Sequence, residues 1–263
     1  MTILITFSES VAVTGTPVLA LNSGGTATYV SGSGSSSLTF SYTVGSGQSA
    51  NPLDALNAVA LSGMIKDTVT NNPNPAVLTV PVAPSQGALG TVKSLNIDGV
   101  APSVSQYQVL FGTRSYNIIG SSRFDLPWQI SGIRVVFSEP ITSGAQASLS
   151  GLPATGFSGL GTNTLTWTIT PTFQGSFATL LLANGGNALK DAAGNALGNG
   201  VNFTQAFKVL EGDFDDNGVV DSRDMVSLNA AVAQLTASLW ISTAMVLSTS
   251  TMFGRPASGS VCL

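Results

Sequence analysis

The residues able to do chemistry are concentrated in one stretch, Gly212-Asp213-Phe214-Asp215-Asp216-Asn217-Gly218-Val219-Val220-Asp221-Ser222-Arg223-Asp224. Of the 13 acidic residues in the chain, six fall between Glu211 and Asp224. Such a density of negative charge calls for a cation, and the spacing points to Ca²⁺. With Asp213 as position 1 of a twelve-residue loop, side-chain oxygens fall at positions 1 (Asp213), 3 (Asp215), 5 (Asn217), 9 (Asp221) and 12 (Asp224). A hard Ca²⁺ ion takes six to eight oxygens, which alternate side chains and the carbonyl at position 7, Val219, can supply. Gly218 at position 6 permits the sharp turn the loop needs. A solvated acidic turn would require neither that glycine, nor the apolar Val220 at position 8, nor a helix behind position 12. That helix is predicted from Met225, Leu228 and Val232, which recur at helical spacing. Asp at position 12 is shorter than the usual bidentate Glu, so a modest affinity is expected.

The elements around the loop set its type. Phe207-Lys208-Val209-Leu210 reads as a strand interrupted by Gly212, so the entering helix of an ordinary EF-hand is missing. A calcium loop with only its exiting helix resembles one half of a type I dockerin, over about residues 211–234. The resemblance implies docking to a cohesin-like module through loop positions 10 and 11. Those are Ser222 and Arg223 here, a departure from the commoner hydroxyl pair that leaves the partner open.

The rest of the chain is poor in charge: 8% of its 263 residues are charged, against roughly a quarter in globular proteins generally. With 43% hydrophobic residues it is too apolar for disorder. The remaining polarity comes from Ser, Thr, Asn and Gly, a mix suited to short strands and many turns. A net charge of −4 with basic residues scattered singly offers no stripe for phosphates, which argues against a nucleic-acid partner and an anionic membrane surface. One cysteine, Cys262, allows no internal disulfide. A loop of this kind fills at extracellular calcium levels, which favours a location outside the cell. Met1-Thr2-Ile3-Leu4-Ile5 runs straight into a strand without a signal-peptide pattern, so either export is signalled elsewhere or an N-terminal part is missing.

Alternation predicts strands at about residues 3–7, 18–21, 26–30, 37–44, 76–80 and 92–97, with a short helical turn over 52–57. A second block repeats the first. Ile5-Thr6-Phe7-Ser8-Glu9 matches Val135-Val136-Phe137-Ser138-Glu139, Leu38-Thr39-Phe40 matches Leu165-Thr166-Trp167, and Ile65-Lys66-Asp67 matches Leu189-Lys190-Asp191. The offsets are 130, 127 and 124 residues (135 less 5, 165 less 38, 189 less 65), in one order, so one module occurs twice. The boundary falls near Ile97-Asp98-Gly99-Val100-Ala101-Pro102. FSESVAVTGTP, GGTATYVSGSGSSSLTFSYTV and IKD resemble the bacterial Ig-like repeats of large surface and adhesin-type proteins, with FSEPI, LTWTI and KDAAGN a weaker likeness in the second block. That resemblance implies antiparallel sandwiches used as spacers or adhesive rods; periodicity alone reaches only a β-sandwich-like fold. Phe137 has some 35 residues between it and Pro102, whereas Phe7 has six ahead of it, so the first module is expected to lack its opening strand or strands. On this reading the chain is the C-terminal piece of a longer protein.

Catalytic arrangements are scarce. The chain has no histidine, which removes Ser-His-Asp and Cys-His nucleophiles and a usual zinc site. Gly32-Ser33-Gly34-Ser35 and Gly159-Leu160-Gly161 lack the Lys-Ser/Thr and helix of a phosphate loop and read as hairpin turns. Glu9 and Glu139 occupy equivalent sites in different modules and cannot pair across one glycosidic bond. Glu139 with Asp191, or Asp98 at the module junction, could instead bridge a calcium between modules, although each also reads as a satisfied turn carboxylate. Trp128, Trp167 and Tyr116 could stack on sugars, but alternation puts Trp167 on an apolar face, where core packing is expected.

The sequence therefore predicts an all-β chain: two tandem Ig-like antiparallel β-sandwiches, residues 1–101 and 102–210, then a dockerin-like calcium loop-helix over 211–234, without an enzymatic site. The expected cofactor is Ca²⁺, held by Asp213, Asp215, Asn217, Val219, Asp221 and Asp224. The expected partner is a cohesin-like module or a cell-surface component, at a bacterial extracellular location, with no membrane span. Two alternatives stay open: the accessory tail of a secreted polysaccharide-degrading enzyme, and self-adhesion through the repeats. Residues 235–263 carry no acid in the run from Ala237 to Phe253 and are expected to be frameshifted and non-native. Read one base back, Trp240 and Ile241 force GAT, aspartate, and Met245 and Val246 force glycine five codons later. Thr243, Met245, Thr249 and Met252 then place codons that admit Asp or Asn at positions 3, 5, 9 and 12 of a second calcium loop, and Met252 with Phe253 forces valine at 13. Resequencing the locus tests this.

Overall fold

The computed structural model describes residues 1–172 and 174–232, and the tail expected to be frameshifted lies outside them. The chain is built mainly from antiparallel β-sheet, and its buried apolar residues form two clusters that follow the two sequence blocks.

In the first block a 19-residue strand, β1 (Thr2–Ala20), runs through both of the first two predicted strands. It pairs with β2 (Thr26–Ser31), β3 (Ser35–Ser41) and β5 (Leu61–Asp67), giving the order β2-β3-β1-β5. A separate pair joins β4 (Ser49–Ala50) to β6 (Ile97–Asp98). Ile3, Val11, Leu19, Leu38, Phe40, Tyr42, Leu61 and Ile65 are buried on the core side of the sheet. The other wall of this core is irregular chain. Residues 76–80, expected as a strand, are extended but unladdered: Ala76, Leu78, Val80 and Val82 lean on the core in alternation. Alternation reports a half-buried extended backbone, whereas a ladder also needs one partner strand along its length; here the amides of Ala76 and Val80 go to different segments, the Ile65 and Ala58 carbonyls, and Pro75 and Pro81 bound the run. Of 92–97, only Ile97 is in a strand, and Leu89–Val92 form a one-turn helix, α1. The predicted helical turn at 52–57 is absent: Leu53 and Ala55 are buried in the core, and Ala55 bridges Leu21.

The second block has two sheets around one core. One has the order β12-β13-β10-β7-β8, from β7 (Val104–Phe111), β8 (Arg114–Asn117), β10 (Ile130–Ile141), β12 (Ala154–Ser158) and β13 (Thr162–Thr172). The other has the order β11-β14-β15-β9, from β9 (Asp125–Leu126), β11 (Leu149–Ser150), β14 (Gln174–Leu181) and β15 (Phe203–Leu210), with β9 joined in parallel to β15. Trp167 is fully buried between them, its Nε1 donating to the Gln146 carbonyl at 3.1 Å. The half-buried Trp128 stacks on Phe111 at 4.2 Å between ring centroids and also meets Tyr116.

The repeat is visible in backbone detail. The β1–β3 register shifts between Thr6 and Val11, and the β10–β13 register between Val136 and Ile141, each offset by 130 residues. In the hairpins, Ser35 Oγ donates to the carbonyls of Gly32 and Ser37, as Thr162 Oγ1 does to those of Gly159 and Thr164. Gly32 and Gly159 have φ of +113° and +104°, and a Cβ at either would strike the carbonyl of Ser37 or Thr164. Both segments are hairpin turns. The copies differ at one edge. β10 has β7 on the side away from β13, whereas Thr2–Thr6 of β1 have β3 on one side and no strand on the other among the described residues. Clefts lined by Thr2, Ile3, Ile5, Val80 and Leu89 lie along this bare edge.

Candidate metal centre

Strand β15 delivers the chain to the acidic loop, and backbone geometry forms the entry. Gly212, at φ +98°, donates its N–H to the Pro127 carbonyl, and Asp213 N–H returns to Leu210. The Asp213 carboxylate is fully buried and accepts the N–H groups of Asn217 (3.1 Å) and Gly218 (3.0 Å). Gly218 at φ +84° makes the turn expected of position 6. Asp224, 3% exposed, reaches back across the loop to accept from Phe214 (2.7 Å), Asp215 (3.2 Å) and Asp221 (2.7 Å). The Asp221 bond is the largest of the hydrogen-bond causes holding its carboxyl below the usual carboxylate value.

Carboxylate oxygens of Asp213, Asp215 and Asp224 lie within 4.8 Å of one another. At Ca–O distances of roughly 2.3–2.6 Å, two oxygens on opposite sides of one ion are about 5 Å apart, so the three can share a cation. The other expected ligands are engaged locally. Asn217 Nδ2 donates to Asp215 at 2.9 Å, and its Oδ1 accepts from Val219 N–H at 2.8 Å. Asp221 Oδ1 accepts the N–H of Arg223 at 2.7 Å, the bond of an N-cap, and a helix follows over 222–232. The side chains of Val219, Val220, Met225 and Val226 are exposed around this unit.

Sequence reasoning did not reach the contacts that seat the loop on the second block. Asp216, at position 4 with φ +62°, points its carboxylate to the backbone N–H groups of Phe124 and Asp125, at 2.9 and 2.6 Å. Arg123 donates through Nη2 to the Asp213 carbonyl and through Nε to that of Asp125. The only signal for Asp216 was an acid in the loop left over from the ligand positions. Asp125, some ninety residues away, gave none.

A second acidic group lies where the two blocks meet. Asp98, Glu139 and Asp191 bring carboxylate oxygens within 4.8 Å, uniting the three acids considered for the junction. Asp191 accepts from Asn195 N–H and Nδ2, each at 2.8 Å, the same arrangement that Asp67 makes with Asn74 in the first copy. Asn195 Nδ2 also reaches the carbonyls of Asp98 and Val100, and Ser46 Oγ meets Asn199 across the same junction. Glu139 is raised above its ordinary value by desolvation first and then by the charges of Asp191 and Asp98. Glu9, its counterpart, is exposed in β1 and belongs to no such group among the described residues.

No protein-family model, curated protein or solved structure matches the chain. No helix among the described residues is long and apolar enough to cross a membrane.

Proposed function

We propose that this is a non-catalytic, calcium-binding module protein of the bacterial exterior. In particular, we read it as two Ig-like sandwiches in tandem that space and present a dockerin-like calcium loop-helix, whose partner is a cohesin-like module or another surface component. The observation that carries the reading is the convergence of Asp213, Asp215 and Asp224. Two of the three are almost wholly buried, and the hydrogen bonds to Asp213 and Asp224 come from backbone amides rather than from cationic side chains. Carboxylates so placed still have lone pairs for an ion. The left-handed Gly218 and the helix behind Asp221 complete the loop pattern.

The exposed Val219, Val220, Met225 and Val226 support a docking role, since apolar side chains grouped on a surface are where partners bind. The absence of histidine from the chain, and the engagement of Asp191 and Asp98 by amides of their own turns, support the non-catalytic reading. Calorimetric titration of Ca²⁺ into the full chain should show a loop site that is lost in Asp215→Ala. Identical heats from the two proteins overturn the reading.

A further inference from the structure

We propose a second divalent-cation position, formed by Asp125, Asp213 and Asp216 at the seam between strand β9 and the loop, and distinct from the group made by Asp213, Asp215 and Asp224. One carboxylate oxygen from each of the three lies within 4.8 Å of the others, the span of oxygens around a single Ca²⁺. The independent observation is at Asp125. This carboxylate is 3% exposed; its Oδ2 is held by Lys208 Nζ at 2.8 Å, while its Oδ1 is buried with no hydrogen-bond partner. A buried, charged oxygen without a partner is costly, and few native structures carry one without a reason.

The nearby cations leave room for an ion. Lys208 is half-exposed and reaches only one oxygen of Asp125. Arg123 spends its donors on the carbonyls of Asp125 and Asp213, leaving the carboxylates untouched. Lys208 and Arg123 thus set two positive charges against three carboxylates, with only one carboxylate oxygen in direct contact with a cation, and a hard divalent ion supplies the remaining counter-charge. Asp213 and Asp216 keep unused lone pairs after their amide bonds, so each can ligate without giving up its structural contacts. The irregular oxygen set, drawn from a strand and a loop, suits Ca²⁺ better than Mg²⁺, which demands a near-ideal octahedron. Such an ion ties the loop to the second sandwich, so the loop's orientation becomes calcium-dependent.

The inference rests on the loop reading only through the shared Asp213. Equilibrium dialysis with Ca²⁺ on the full chain, on Asp125→Asn and on Asp215→Ala separates the two. The expected result is two ions in the parent, one in each single variant and none in the double variant. Asp125→Asn binding as many ions as the parent overturns the seam site. Loss of an ion in Asp125→Asn with none lost in Asp215→Ala leaves the seam standing and overturns the loop reading. Should Asp125→Asn fail to fold, Lys208→Met removes the competing cation and is expected to tighten the seam ion by about fivefold; unchanged or weaker binding there overturns the proposal.

Discussion

Replacing Asp216 by Ala severs one of the contacts that seat the acidic loop on the second block. The Asp216 carboxylate accepts two backbone N–H groups, Phe124 at 2.9 Å and Asp125 at 2.6 Å. A hydrogen bond to a charged group contributes roughly 1.5–3 kcal/mol net, with the lower end appropriate to a half-buried site where water can replace the acceptor. The freed amides recover part of this from water, so a local loss of about 2 kcal/mol is expected. Asp216 also sits at φ +62°, which aspartate tolerates better than alanine, so the loop's own turn weakens in the same direction. About 2 kcal/mol corresponds to roughly a thirtyfold change in an opening equilibrium. Amide hydrogen exchange in chelator, where no ion contributes, should show Phe124 and Asp125 exchanging roughly thirtyfold faster in Asp216→Ala. The amide of Tyr107, bonded to Asn117 Oδ1 in the far sheet, should not change. Phe124 and Asp125 amides exchanging at the parent rate would refute the argument that this carboxylate holds the loop in place.

Three further outcomes can be checked. The Asp224 carboxyl lies below its ordinary value, so the stability it contributes is complete above that value and disappears only as pH falls through the lowered one; its NMR titration midpoint should fall below that of a free aspartate, about 3.9. Glu139 is shifted the other way, so its ionised form works against folding at neutral pH and acidification through its raised value relieves this; Glu139→Gln should stabilise the fold at pH 7 by under about 1 kcal/mol because water screens the site, seen as a small rise in melting temperature there and not at pH 3. Expressed separately, residues 102–210 should melt cooperatively, whereas residues 1–101 should not, because the bare edge at Thr2–Thr6 leaves one side of β1 unpaired and a cleft open; a cooperative transition from the first fragment contradicts this.

Several features were legible because they are local. Gly218 and the alternate acids of the loop sit within one short stretch, so spacing alone predicted a turn that gathers Asp213, Asp215 and Asp224. The repeat was legible for a related reason: the matched segments keep their order at offsets of 130, 127 and 124 residues, and the hairpins at Gly32 and Gly159 share their geometry to the level of single hydrogen bonds. Alternation located the buried faces of β1 and β3, and the burial of Trp167 in β13.

What tertiary structure alone decided is how distant segments meet. Alternation at residues 76–80 says which side chains face inward, but whether a backbone pairs depends on one neighbour running alongside it, and here the amides of Ala76 and Val80 go to two different segments. The same limit hid Asp125. Nothing adjacent to it in the chain is acidic, and only the parallel pairing of β9 with β15 carries it to the loop entrance beside Asp213 and Asp216. Local order is written in residue spacing, because steric and hydrogen-bonding preferences act over a few residues. Convergence of charges from remote strands is set by sheet topology, where the packing of whole layers determines which carboxylates must share a space.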